Sequence, residues 1–192
     1  MKKLLITGFD PFGGASVNPS WLAVEGLPDM VGQWEVHKRM LPTVFGEAVR
    51  VALEAAGELR PEVILCVGQA GGREAVTPER IGVNIRDARI ADNAGNQPRG
   101  EFAVTDGPAA YFATVPVEKM AKAIRDAGIA STVSNSAGAF VCNDVLYSLL
   151  HHYDGTQTKV GFIHVPYLPE QGSPSMELEK IIRALSVAIL AC

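Results

Sequence analysis

Val63-Ile64-Leu65-Cys66-Val67-Gly68-Gln69-Ala70-Gly71-Gly72 is the stretch on which the fold turns. A short apolar run rich in β-branched residues reads as a central strand, and the glycine-rich segment after it reads as a turn. Similar short runs recur on both sides. Leu4 to Phe9, Trp34 to Met40, Ile129 to Ser134 and Val160 to Val165 each read as a strand. Ile81, Val83 and Ile85 alternate with Gly82 and Asn84 and suggest another. Between these runs the apolar spacing changes to a helical period. Asn18-Pro19 reads as a helix start, with Asn as cap and Pro in the first turn. Thr43 to Leu59 places Val44, Ala48, Val51, Ala52, Ala55 and Leu59 on one face, and Pro61 stops it. Val117 to Ala127 is closed by Gly128. Phe140 to His152 and Ser175 to Leu190 complete the set. Strands alternating with helices predict a mostly parallel, twisted sheet covered on both faces. The expected fold class is therefore α/β, a three-layer α/β/α sandwich in one domain over residues 1–192. Asp92 to Gly107 is rich in Asn, Gly, Asp and Pro and reads as a long loop or projecting hairpin.

Composition narrows the function. A chain of 192 residues, 47% hydrophobic, can bury one good core but hardly two. The net charge is −4 and the basic residues are scattered, so no electrostatic footprint points to nucleic acid or anionic lipid. The apolar run after Lys2 and Lys3 is too short for a signal segment, and nothing reaches transmembrane length; a cytoplasmic protein is expected. Cys66, Cys142 and Cys192 are an odd, widely spaced set without C-x-x-C, which suggests neither a disulfide framework nor a metal site.

One cysteine stands out by position. Ser134-Asn135-Ser136-Ala137-Gly138-Ala139-Phe140-Val141-Cys142-Asn143 runs from a strand end through small residues into a helix. Cys142 falls in the first turn, where unpaired N–H groups and the dipole favour a thiolate and could cradle an oxyanion. Position alone still favours an inert, buried thiol, which is what a free cysteine usually is. His164 shifts the balance. It lies near the C-terminal end of an apolar strand, where an imidazole needs a polar partner. Ligands of open α/β sheets bind at that edge, so a thiol and an imidazole there make an activated nucleophile. A third, orienting carboxylate could be Glu79, Asp87 or Asp92; the residues alone do not separate them. On the same edge, Phe9 and Phe12 could wall a substrate, and Gln69 offers an amide. Neither glycine segment fits a nucleotide-binding pattern. A phosphate-dependent transferase on the same architecture, or a binding module with an unreactive Cys142, are the alternatives.

The motifs and their order resemble the pyroglutamyl-peptidase I (pyrrolidone-carboxylate peptidase) family of cysteine peptidases. The matching stretches are Thr7-Gly8-Phe9-Asp10-Pro11-Phe12 with Asn18-Pro19-Ser20, Gly71-Gly72-Arg73, and Glu79-Arg80-Ile81 to Asn84. They continue through Asp87-Ala88-Arg89, Asp92-Asn93, Ser136-Ala137-Gly138, Cys142-Asn143 and Phe162-Ile163-His164-Val165-Pro166. Thr77 stands where the pattern has Ser, and the connection from His152 to Lys159 is slightly short. The resemblance implies removal of N-terminal pyroglutamyl residues from peptides, with Glu79, Cys142 and His164 catalytic and Arg89 assisting the oxyanion. It assigns Phe9, Phe12, Gln69 and Val141 to the pyroglutamyl pocket. It further implies a cytosolic homotetramer, no cofactor and no metal.

Overall fold

The computed structural model describes residues 2–192. Its centre is β4 (Val63–Gln69), flanked by β1 (Lys2–Phe9) on one side and β8 (Lys159–Val165) on the other, all parallel. β3 (Trp34–Leu41) pairs in parallel with the far side of β1. Two-residue strands close both edges in antiparallel sense: β2 (Met30–Val31) on β3, and β5 (Thr77–Pro78) on β8. The order β2-β3-β1-β4-β8-β5 makes a mostly parallel sheet. The continuous apolar run of β4 is buried along its length because helices cover both faces.

Helices α1 (Pro19–Glu25), α3 (Val117–Asp126) and α5 (Leu178–Leu190) pack together on one face. There Leu4, Ile6, Leu65, Val67, Ile163 and Val165 point towards them. Alternate residues of the same strands, Leu5, Ile64, Cys66 and Phe162, point to the other face, under α2 (Glu47–Leu59) and α4 (Val141–His152). Asn18 caps α1 as expected: its side chain accepts from the Ser20 N–H at 3.1 Å, and Pro19 opens the helix. α1 crosses close to β1, since a Cβ on Gly8 would lie 2.7 Å from the Trp21 Cα.

Two expectations change. Ile129 to Ser134 is not a strand. It runs beside residues 76–79 with only isolated bridges, Val76 to Ser131 and Glu79 to Ser134. Pro78, in the middle of that pairing, has no N–H to donate, so no continuous ladder forms. The second concerns the hairpin. Its arms are β6 (Ile81–Val83) and β7 (Ala110–Phe112), and residues 84–109 form the connection between them. Side chains latch that connection to the body. Asn84 exchanges bonds of 2.9 Å with the Val104 backbone. Asp92 accepts from the N–H groups of Phe45, Ala94 and Asn96 and from the Asn96 amide, at 2.8–2.9 Å.

The chain passes from β1 to β3 on one side, then through α2 back across to β4 on the other. The switch point between β1 and β4 opens a crevice at their C-terminal ends, where α/β sheets bind ligands. Phe9, Gln69 and His164, at the ends of β1, β4 and β8, all line one cavity there.

Candidate active site

The cavity has a volume of about 440 Å³. Strand alternation decides what faces it. In β8 the side chain of Phe162 lies on the α4 side of the sheet, so His164, two residues on, lies on that side too. Their rings are 4.8 Å apart. Gly68 is the register partner of His164 on β4. A Cβ on Gly68 would lie 2.8 Å from the Cys142 Sγ and 2.8 Å from the Phe162 ring. The thiol of Cys142 therefore lies against the bare backbone of Gly68, the register partner of His164, and a Cβ there would crowd it.

Cys142 is the second residue of α4. The helix has no side-chain cap at Phe140, and its first main-chain N–H to find a helical partner is that of Asp144, bonded to the Phe140 carbonyl at 3.1 Å. Helix N–H groups at this end are available to a negatively charged oxygen in the cavity. Asn143 holds the approach. It accepts from the Val83 N–H at 3.0 Å and donates to the Val83 and Ile85 carbonyls at 2.9 and 3.0 Å, locking α4 to β6.

His164 Nδ1 lies 2.7 Å from Glu79 Oε1. Glu79 is fully buried. The antiparallel pairing of β5 with β8 brings it there, since Thr77 is paired with His164 and the Glu79 N–H donates to the Phe162 carbonyl at 2.9 Å. Burial opposes ionisation of Glu79, but hydrogen bonds from His164 and Arg73 outweigh it and hold the carboxyl below the usual carboxylate range. The Ser134 hydroxyl lies near enough to add to this. Its donated bond, though, goes to the Ser136 carbonyl at 3.2 Å, and among the described residues Glu79 Oε2 has no hydrogen-bond partner.

Of the three carboxylates open to the third role, only Glu79 meets the imidazole. Asp92 spends its oxygens on the four N–H groups of its loop latch. Asp87 is exposed at the cavity rim.

The thiol differs from expectation. Its helix-terminal position was expected to favour the thiolate, but burial pushes it up to about 12, and the negative charge of Glu79 adds to the effect. Arg73 pulls in the opposite direction and does not compensate. A shift in this direction makes a base that takes the thiol proton important to the attack.

Arg73 was not singled out for any role from the sequence. One nitrogen of its guanidinium donates to both Glu79 Oε1 and Thr77 Oγ1 at 2.6 Å; another donates to the Ser136 carbonyl at 3.1 Å. It thus ties the carboxylate to the loop that leads into α4, and it also lines the cavity. Its position just after Gly71-Gly72, at the C-terminal end of the central strand, was the available signal. Thr77 fills the position where the family pattern has Ser, and its hydroxyl keeps a partner in Arg73.

Arg89 lines the cavity and is exposed; among the described residues its guanidinium forms no ion pair. Phe9 and Phe12 also line it, and the Phe12 ring stands 6.0 Å from that of Phe140. Gln69 lines it from the end of β4. The Val141 side chain is fully buried in the core under α4, so only its backbone can face a ligand. Cys66 is buried within the sheet. Cys192 is half-buried, and its Sγ lies 3.6 Å from the Ala188 carbonyl. Among the described residues no cluster of three or more His, Cys, Asp or Glu could hold a metal ion.

An open α/β sheet with a thiol and an imidazole lining one cavity at its C-terminal edge, and a buried carboxylate on that imidazole, has the parts of a cysteine hydrolase. Comparison with known proteins makes the class specific. The sequence profile described as pyroglutamyl peptidase matches residues 2–192. A pyrrolidone-carboxylate peptidase of Bacillus cereus is 47% identical over 197 aligned residues, covering 98% of this chain and 92% of the relative. The crystal structure of Bacillus amyloliquefaciens pyroglutamyl peptidase I superposes with a TM-score of 0.95 at 45% identity, covering 98% of this chain and 95% of that one. Pyrrolidone carboxyl peptidase from Thermococcus litoralis gives 0.95 at 42% identity, covering 100% and 93%. The chain belongs to the pyroglutamyl peptidase family.

Proposed function

We propose that this protein removes N-terminal pyroglutamyl residues from peptides, with Cys142 as nucleophile, His164 as its base and Glu79 as the group that orients the imidazole. The observation that carries this is the 2.7 Å contact between Glu79 and His164, with His164 lining the same cavity as the Cys142 thiol. A buried carboxylate on Nδ1 fixes the tautomer that leaves Nε2 free to accept a proton.

The substrate's lactam ring enters between the phenyl walls of Phe9 and Phe12. Sγ attacks the pyroglutamyl carbonyl as its proton passes to His164. The forming imidazolium is stabilised by Glu79. Burial pushes the thiol up, so transfer of its proton to His164 as Sγ attacks is favoured. The carbonyl oxygen becomes an oxyanion, held by the Cys142 N–H and by Arg89. The tetrahedral intermediate collapses, His164 gives its proton to the leaving amine, and the shortened peptide departs. Water then attacks the thioester with His164 again as base, which releases pyroglutamate and restores the thiol.

The ligand also fits by its charge. Pyroglutamate has a neutral lactam, and the phenyl walls offer no carboxylate to an amine; the one carboxylate that lines the cavity among the described residues, Asp87, is exposed to water. An N-terminal proline would have to strip water from a charged amine, which is costly without such a partner. Assembly as a homotetramer completes the proposal. The exposed side chains of Phe102 and Phe112, 70% and 68% accessible, supply apolar surface that such contacts could cover. A reducing cytoplasm suits a chain whose three cysteines are all free. No helix among the described residues is long and apolar enough to cross a membrane.

The direct test uses fluorogenic pyroglutamyl and prolyl amides, with and without iodoacetamide or phosphate. Release from the pyroglutamyl amide alone, abolished by alkylation and independent of phosphate, is the expected result. Comparable kcat/KM for the two amides would refute this account of the pocket.

A further inference from the structure

Gln69 is a primary amide, and an amide can present either its oxygen or its nitrogen to a ligand. Here the choice is made elsewhere in the chain. Gln171, in the turn after β8, contacts two backbone groups whose roles cannot be exchanged. The Leu168 N–H, which can only donate, lies 3.0 Å from Gln171 Oε1. The Val17 carbonyl, which can only accept, lies 3.3 Å from Gln171 Nε2. These two neighbours assign the oxygen and nitrogen of Gln171. The same Nε2 then donates to Gln69 Oε1 at 3.0 Å. With its oxygen turned to Gln171, Gln69 has its NH₂ at the other side of the amide. Among the described residues no acceptor within hydrogen-bond distance takes those N–H groups. Gln69 lines both the 440 Å³ cavity that holds Cys142 and an adjoining one of about 500 Å³, which Gln171 also lines.

We propose that Gln171 is a positioning residue for specificity, pinning the Gln69 amide so that its NH₂ faces the cavity as a donor for the ring carbonyl of a pyroglutamyl substrate. The inference rests on the functional reading above and adds to it the origin of the discrimination. A lactam ring carries one acceptor, its carbonyl. A pyrrolidine ring carries none there, and its charged amine would face another donor. An unpinned amide could rotate to offer its oxygen and would lose that contrast. A pinned one is organised before the substrate arrives, and sites that hydrogen-bond a substrate group reject analogues lacking it far better than apolar walls do.

The test is a double-mutant cycle between the two glutamines. In Gln171→Glu one carboxylate oxygen can still accept from Leu168, but the other now faces Gln69. The Gln69 NH₂ must turn towards it and aim Oε1 into the cavity. The expected result is a 10- to 100-fold loss of kcat/KM on a pyroglutamyl amide, carried mainly by KM. The rate of Cys142 alkylation by iodoacetamide should be unchanged. Gln69→Leu should lose a similar factor, and adding Gln171→Glu to it should cost nothing further, because no amide remains to be pinned. Gln171→Met, which removes the pin without reversing it, should lose less and should show the same non-additivity. It serves the cycle if Gln171→Glu does not fold. Wild-type KM in both Gln171 variants, or losses that multiply in the double variants, would overturn the proposal. A wild-type protein inert to pyroglutamyl amides would overturn the functional reading beneath it. Activity in the wild type with multiplying losses would overturn this inference alone.

Discussion

Replacing Arg73 with Leu removes three hydrogen bonds at once: two of 2.6 Å, to Glu79 and Thr77, and one of 3.1 Å to the Ser136 carbonyl. Glu79 keeps His164 as its partner, and its Oε2 is already unpaired. A hydrogen bond to a charged group contributes about 1.5–3 kcal/mol. The Arg73 side chain is 31% accessible, so water screens part of this and the lower end applies. About 1.5 kcal/mol expressed in the geometry of the imidazole is about tenfold in kcat. The pH profile gives a sharper signature. Glu79 sits below the ordinary carboxylate range partly because of Arg73, so its removal moves the carboxyl upward and the acid limb of kcat to higher pH. Arg73 also pulls the Cys142 thiol downward, so in the variant the thiol rises further and alkylation by iodoacetamide slows. Arg73→Lys keeps the charge without the fork, and should restore the alkylation rate more fully than kcat. Steady-state kinetics from pH 4 to 10 with a pyroglutamyl amide, alongside alkylation rates, is the assay. Wild-type kcat and an unmoved acid limb in Arg73→Leu would refute the argument that Arg73 holds Glu79 in its working state.

Other outcomes follow from the same geometry. Gly68→Ala puts a Cβ 2.8 Å from the Cys142 Sγ and should displace the thiol; kcat should fall about 100-fold, as small misplacements do, while circular dichroism stays native. Glu79→Gln should retain part of the activity, because Glu79 orients rather than reacts, whereas His164→Ala should lose nearly all; equal activity of Glu79→Gln and wild type would remove Glu79 from the site. Asp92 is held below the ordinary carboxylate range: burial works against its charge, and the hydrogen bonds from Asn96, Phe45 and Ala94 outweigh it. Its contribution is therefore complete above the unfolded value of about 3.9 and lost as pH falls through the lower folded value. Asp92→Ala should lower Tm near neutral pH and leave little difference from wild type at the acid end, which thermal melts across pH would show.

Several features were legible because one physical rule governed each. The strands of the central sheet were visible as apolar runs without helical period, and α4 and α5 as helical stripes. His164 was conspicuous because an imidazole inside such a run requires a partner. Glu79 was less so. Asp87 and Asp92 carry the same chemistry at similar distances along the chain, and only the pairing of β5 with β8 selects among them. Arg73 looked like an ordinary loop arginine, since nothing local reveals that its guanidinium spans from residue 79 to residue 136. The contact between Gln171 and Gln69 crosses 102 positions and leaves no pattern in either neighbourhood. The thiol was legible only in part: a helix terminus is a local feature, whereas the burial that pushes the thiol up comes from residues distant in sequence, Gly68 among them. Ile129 to Ser134 has the composition of a strand, yet its partner contains Pro78 and cannot complete a ladder.

Central to this account is a covalent step at one sulfur. Acid quench during turnover of a reactive pyroglutamyl ester, followed by peptide mass mapping, measures it most directly. The account predicts one pyroglutamyl acyl group on the peptide that contains Cys142, lost on mild hydroxylamine treatment as a thioester is, and none on the peptides of Cys66 or Cys192. An acyl group on another residue, or full turnover by Cys142→Ser, would contradict it.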